Sequence, residues 1–178
     1  MARVFSAVDI EDEDVLDQLE KTQERLNLGF NTVPREKMHI TLEFFEDVNE
    51  KQIDKIKRSI RNIQIDSFQA SINGVGAFPS EDYMRVVWAG LKAPEIFRLK
   101  KQVSTHGVTS QDQNSFTPHI TLLRVQDINP KRKRKLQKHI DEYREHSIAD
   151  FEVNKVKLFE SVLTENGSKY RILEEKKL

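Results

Sequence analysis

Apolar residues recur with two different periods along this chain, and the switches between them mark out its elements. Residues 3–10 read as a strand, while residues 12–26 carry Val15, Leu16, Leu19 and Leu26 at near-helical spacing and predict an amphipathic helix. A strand is expected around 39–42, then a helix over 49–63 with Ile53, Ile56 and Ile60 on one face. Residues 68–78 alternate until glycines and Pro79 interrupt them, as in a strand that ends in a bulge or turn. The order then starts again. A strand is predicted over 85–91, a helix over 94–106 with Pro94 suited to the first turn, and a strand from 119. Asn129-Pro130 reads as the N-cap and first turn of a helix to about His146, followed by one long alternating strand over 151–162. A turn signal, Glu165-Asn166-Gly167-Ser168, precedes a last short strand at 170–173.

The repeated order is anchored by a repeated tetrapeptide. His39-Ile40-Thr41-Leu42 returns as His119-Ile120-Thr121-Leu122, 80 positions later. On strands, side chains alternate between faces, so each His shares one face with its Thr while the Ile and Leu share the other. With the apolar faces buried, a groove would be lined by two imidazoles and two hydroxyls. The expected fold is therefore α+β and bilobal. Two antiparallel sheet-and-helix lobes, related by a pseudo-two-fold axis, would flank a central cleft in one catalytic domain made of two halves, about 1–82 and 83–178. Which strands pair is left open, because an outer strand of one half could complete the sheet of the other.

Composition narrows the classes. The 178 residues suit one domain, and 37% hydrophobic residues suffice for a core. Lys+Arg and Asp+Glu balance at 29 each, so any polyanion site must be local rather than a whole-molecule field. Without cysteine there is no disulfide, thiolate nucleophile or Cys-based metal site. The first residues, Met-Ala-Arg-Val-Phe-Ser, lack the pattern of a signal peptide and no stretch is apolar enough to span a membrane, which makes the cytoplasm the expected location.

The two His-x-Thr motifs, with Asn73-Gly74-Val75-Gly76-Ala77-Phe78-Pro79, Phe116-Thr117-Pro118-His119-Ile120-Thr121-Leu122-Leu123-Arg124 and Leu158-Phe159-Glu160-Ser161, resemble the RNA 2',3'-cyclic phosphodiesterase family. That family, historically called 2'-5' RNA ligases, belongs to the two-histidine phosphoesterase superfamily, and the resemblance covers nearly the whole chain. It implies metal-independent hydrolysis of RNA 2',3'-cyclic phosphate ends to 2'-phosphate ends, with no cofactor, by a monomer. The chemistry of the residues agrees: opening a cyclic phosphodiester needs one base and one acid, and histidine suits both. The resemblance makes His39 the proton donor to the departing 3' oxygen and His119 the proton acceptor from water. Symmetry alone does not assign those roles. Thr41 and Thr121 would bind nonbridging phosphate oxygens.

Other residues are weighed against plainer readings. Arg124 is a candidate phosphate ligand, although strict alternation puts it on the face opposite His119 unless a bulge intervenes. Phe5, Phe44 and Phe45 are candidates for stacking on a base, although aromatic residues in strands are usually core. The basic run 131–135 reads as a solvated helix face, and His106, His139 and His146 as structural. A metal held by His39, His119 and a carboxylate such as Glu43 is the lesser alternative, since threonines are poor ligands and no tight ligand spacing occurs. Two other functions use the same groups: 2'-5' end joining, if an RNA 5'-hydroxyl replaces water, and a non-catalytic RNA-end binding module.

Overall fold

The helices begin where short polar side chains cap them. Asp12 accepts hydrogen bonds from the amides of Asp14 and Val15, Asn49 forms a capping box with Gln52, and Asn129 accepts from the amide of Arg132 ahead of Pro130. The computed structural model describes residues 2–104, 116–165 and 167–178. In chain order its elements are β1 (Ala2–Asp9), α1 (Glu13–Leu26), β2 (Asn31–Thr32), β3 (His39–Val48), α2 (Glu50–Arg61), β4 (Phe68–Pro79), β5 (Met84–Lys92), α3 (Glu95–Val103), β6 (His119–Arg124), α4 (Pro130–Tyr143), β7 (Ser147–Val153), β8 (Lys155–Thr164) and β9 (Gly167–Lys177).

The fold is α+β. All strand pairs are antiparallel, in the order β7-β4-β5-β6-β3-β1-β8-β9, and β2 adds a short pairing to β6. This order is symmetric about the β6–β3 junction: β5 flanks β6 as β1 flanks β3, and β4 stands outside β5 as β8 stands outside β1. The lobes do not follow the halves of the chain. Strand β4, from the first half, pairs with β5 and β7 of the second, while β8 and β9 from the end of the chain complete the sheet around β1 and β3. The helices cross over in the same way. Helices α1 and α4 lie behind the β6–β7 side, and α2 and α3 behind the β3–β9 side.

One apolar core fills the space between helices and sheet. Ile40, Leu42, Ile120 and Leu122 enter it from the histidine strands and Leu19, Ile60, Leu99 and Ile140 from the four helices. At about 25 cal/mol per Å² of apolar surface removed from water, this layer is the main source of stability. Gly74, at φ +77° in an irregular stretch of β4, is required twice over: a Cβ there would stand 2.5 Å from the Arg144 carbonyl oxygen.

Three expectations need correction. The strand expected over 151–162 is two, β7 and β8, broken at Asn154, because Phe151 pairs towards β4 on one side of the molecule and Leu158 towards β1 on the other. The last strand is longer than 170–173, since β9 pairs along all of β8. The helix expected to reach His146 ends at Tyr143, as β7 begins at Ser147. The helix expected over 94–106 is α3 with Pro94 at its N-cap, and residues 105–106, His106 among them, lie outside the described residues. Among the described residues no helix is long and apolar enough to cross a membrane.

Candidate active site

The two histidine strands meet at a single pair, Ile40 opposite Ile120. Beyond it β6 is taken over by β2, with Asn31 opposite Arg124 and Thr32 opposite Leu123, so the strands splay. The two isoleucines point into the core, and His39, Thr41, His119 and Thr121 stand half-buried on the other face. In that register Thr121 lies across from His39, and His119 across from Thr41.

Both imidazoles are oriented by the same local bond. His39 Nδ1 lies 2.8 Å from the Lys37 carbonyl oxygen and His119 Nδ1 lies 2.7 Å from that of Thr117, two residues upstream in each case. A carbonyl only accepts, so each Nδ1 carries a proton and Nε2 is the accepting nitrogen of each neutral ring. In neutral His39, Nε2 accepts from the Thr41 hydroxyl, 3.1 Å away.

Each ring also rests on aromatic neighbours. His39 lies against Phe5 at 5.1 Å and edge-on to Tyr170 at 5.8 Å, over a small apolar cluster of Phe5, Ala7 and Phe159 that is separate from the main core. His119 meets Phe78 edge-on at 4.9 Å and Trp88 at 6.1 Å. Phe78 and Phe159 occupy matching places, opposite Val86 and Phe5 on the flanking strands. Gly76 lies opposite Trp88, and a Cβ there would stand 2.4 Å from the indole ring. The glycine therefore lets Trp88 lie across β4 and support His119. Because alanine must displace the indole that packs beside His119, Gly76→Ala is expected to lower kcat/KM by about tenfold, short of the roughly hundredfold that a 1 Å misplacement can cost. Steady-state kinetics alongside a melting curve checks this, and unchanged kinetics would remove Trp88 from the support of His119.

Burial and nearby charges act together on His39. Burial pushes the His39 imidazole below the usual histidine range. The Lys37 carbonyl and the charge of Asp9 oppose that, whereas the charges of His119 and Arg124 add to it. Asp9 lies opposite His39 on β1 and is held by Lys157, whose Nζ is 2.9 Å from Asp9 Oδ2 and 2.6 Å from Glu11 Oε1.

Arg124 reaches the same face as the histidines because a bulge does intervene. Against β5, Val87 pairs with Leu123 but Trp88 pairs with Thr121, so Leu122 is an extra residue in β6. Leu122 and Leu123 both point into the core, and Arg124 is turned back to the site face. Strand β3 repeats the device: Ser6 pairs with Glu43 but Ala7 with Thr41, leaving Leu42 as the extra residue. This returns Phe44 to the site face at the position matching Arg124. Phe44 is 45% exposed, whereas Phe45 is core and Phe5 lies buried beneath His39.

Glu43, weighed above as a metal ligand, points away from the histidines. Its carboxylate meets Lys100 and Ser104 on the helix side of the sheet, both at 2.8 Å. Among the described residues no three of His, Asp and Glu are grouped so as to hold a metal ion. Of the basic run 131–135 on α4, Arg132 donates to the Leu28 carbonyl and covers the Phe30 ring, and Lys133 lies 3.8 Å from Asp82. His139 bonds the Arg25 carbonyl and His146 packs on Tyr143.

Sequence reasoning missed Asp9, Trp88, Tyr170 and Lys157. Asp9 carried a faint signal as the charged end of an otherwise apolar strand run. The others depend on which strands pair, which periodicity does not reveal.

The model of the family described as LigT like Phosphoesterase matches residues 8–88 and 92–170. An RNA 2',3'-cyclic phosphodiesterase of Methanothermobacter thermautotrophicus is 33% identical over 180 residues, covering 97% of this chain and 96% of that one. The protein of the same name from Methanocaldococcus jannaschii is 29% identical over 176 residues, covering 97% and 99%. Escherichia coli LigT in its apo form superposes with a TM-score of 0.78 over 99% of this chain and 97% of that one, at 20% identity. With two matching histidine strands at the centre of a fold of this kind, and a family match along nearly its whole length, the chain belongs to the LigT-like phosphoesterase family.

Proposed function

We propose that this chain hydrolyses terminal 2',3'-cyclic phosphates on RNA to 2'-phosphates without a metal ion. The observation that carries the reading is the pair of imidazoles on one face, each with Nδ1–H tied to a backbone carbonyl, which makes Nε2 the proton-accepting nitrogen of the neutral ring. The curated names of the relatives supply the substrate class.

In the proposed step His119 Nε2 takes a proton from water as its oxygen attacks phosphorus, and His39 Nε2 gives a proton to the departing 3' oxygen. One bond to phosphorus forms, one breaks, and the phosphate stays on the 2' oxygen. Thr41, Thr121 and Arg124 bind the nonbridging oxygens, whose charge grows as the attacking oxygen adds. The depressed proton affinity of free His39 fits this cycle, because the phosphate anion restores it on binding and so couples charging of the acid to arrival of substrate. With proton transfer carried by two histidines, full activity in EDTA is expected.

The test is an RNA oligonucleotide ending in a 2',3'-cyclic phosphate, incubated with the protein and EDTA. A 2'-phosphate end as sole product, without inorganic phosphate, is expected. A 3'-phosphate end would reverse the acid and base assignments, and turnover only after adding a divalent ion would overturn the mechanism. Joined oligonucleotides in place of the hydrolysed end would favour the ligase reading. Binding without turnover would favour the RNA-end binding module.

A further inference from the structure

Both bulge carbonyls are held by a side chain reaching in from a helix of the opposite half of the chain. Gln23 of α1, buried at 7% exposure, donates through Nε2 to the Leu122 carbonyl at 2.8 Å and to that of Val33 at 2.9 Å. Lys100 of α3 donates through Nζ to the Leu42 carbonyl at 3.1 Å and to Glu43 Oε2 at 2.8 Å. Helix α1 follows β1 in the first half yet clamps β6 of the second, and α3 follows β5 in the second half yet clamps β3 of the first.

A bulge takes a residue out of register and disturbs the ladder around it, so its carbonyl turns to donors outside the β5 ladder: the Leu122 carbonyl accepts the Val33 amide at 2.9 Å as well as Gln23. A buried amide or ammonium on a helix is likewise costly unless its protons are bonded. The geometry has a further effect, because side chains alternate with period two and the extra residue is what turns position 124 and position 44 onto the face of the histidines. Without it Arg124 would be driven into the apolar core. On one side the clamp presents a guanidinium suited to a phosphate oxygen. On the other it presents Phe44, half-exposed and 5.7 Å from Phe5, suited to the flat face of a nucleobase.

We propose that Gln23 and Lys100 are positioning residues which, through the duplicated bulge, hold Arg124 and Phe44 against the phosphate and the terminal base of the RNA. This rests on the hydrolase reading above. It predicts a coupling specific to each side, which general loss of stability does not produce.

The experiment measures kcat and KM separately on an RNA oligonucleotide ending in a 2',3'-cyclic phosphate, below the melting temperature of every variant. Gln23→Met is expected to raise KM about three- to tenfold with kcat within about twofold, and to raise it by less than about twofold in an Arg124→Ala background. In a Phe44→Ala background the full effect of Gln23→Met should remain. The double change Lys100→Met with Glu43→Gln, which leaves no unpaired charge, should show the converse: its effect disappears with Phe44→Ala and persists with Arg124→Ala. Leu19→Ala, one turn before Gln23 on the buried face of α1, weakens the core while leaving the Gln23 and Lys100 hydrogen bonds in place and should leave KM unchanged. If Gln23→Met does not fold, the Lys100 side tests the same claim alone. Equal effects in both backgrounds, or an unchanged KM in the clamp variants, overturn the positioning role while the wild type continues to turn over. A wild type that does not hydrolyse this RNA overturns the hydrolase reading and the clamp's role together.

Discussion

Alanine at either His39 or His119 is expected to lower kcat/KM by about a hundredfold or more, the usual contribution of a positioned general acid or base. The double variant should lose far less than the product of the two single losses, since acid and base act in one step. The pH profile carries the sharper test. An acid must be protonated, so activity that depends on His39 falls as pH rises through its pKa. Burial holds that pKa down in the free protein, so the alkaline limb of kcat/KM should fall below the roughly 6.5 of an exposed histidine. Once the phosphate anion is bound the same group is pulled up, and the alkaline limb of kcat should lie at higher pH. Rates at limiting and saturating substrate across a pH series give both limbs. An alkaline limb of kcat at lower pH than that of kcat/KM would remove His39 as the acid.

The candidate site was legible in the sequence because its residues sit on a repeat whose period, two per strand, dictates which side chains share a face. That argument put His39 with Thr41 and His119 with Thr121, as the structure does. It was silent on everything that depends on pairing. The exchange of β4 and β8 between the two sides of the sheet leaves no local trace, because a strand looks the same whichever neighbour it joins. The misreading of 151–162 has the same origin: Asn154 separates two strands that leave in different directions, but periodicity continues across it. Arg124 marks the boundary between the two kinds of knowledge. Strict alternation put it on the face opposite His119 unless a bulge intervened, and only the register against β5 reveals the extra residue at Leu122 that turns it towards the histidines.

Removing Lys100 should do more harm to the fold than removing any surface charge. Its ammonium, 16% exposed, meets Oε2 of the Glu43 carboxylate, 2% exposed, and Glu43 Oε1 has no hydrogen-bond partner among the described residues. Lys100→Met therefore strands a carboxylate in the layer between β3 and α3, and such a change typically costs about 3–5 kcal/mol. Adding Glu43→Gln should recover most of that loss, because a neutral amide in the same place keeps the hydroxyl bond from Ser104 and carries no charge to desolvate. Denaturant unfolding of the wild type, the single variant and the double variant at neutral pH measures both steps. A single variant as stable as the wild type would mean that water or a displaced side chain reaches Glu43, and the pair would lose its place as a buried link between the two halves of the chain. The double variant should regain stability without regaining the wild-type KM, because the Leu42 carbonyl has still lost the donor that holds the bulge beneath Phe44. Stability and substrate affinity are carried by different bonds of the same lysine, and these two variants pull them apart.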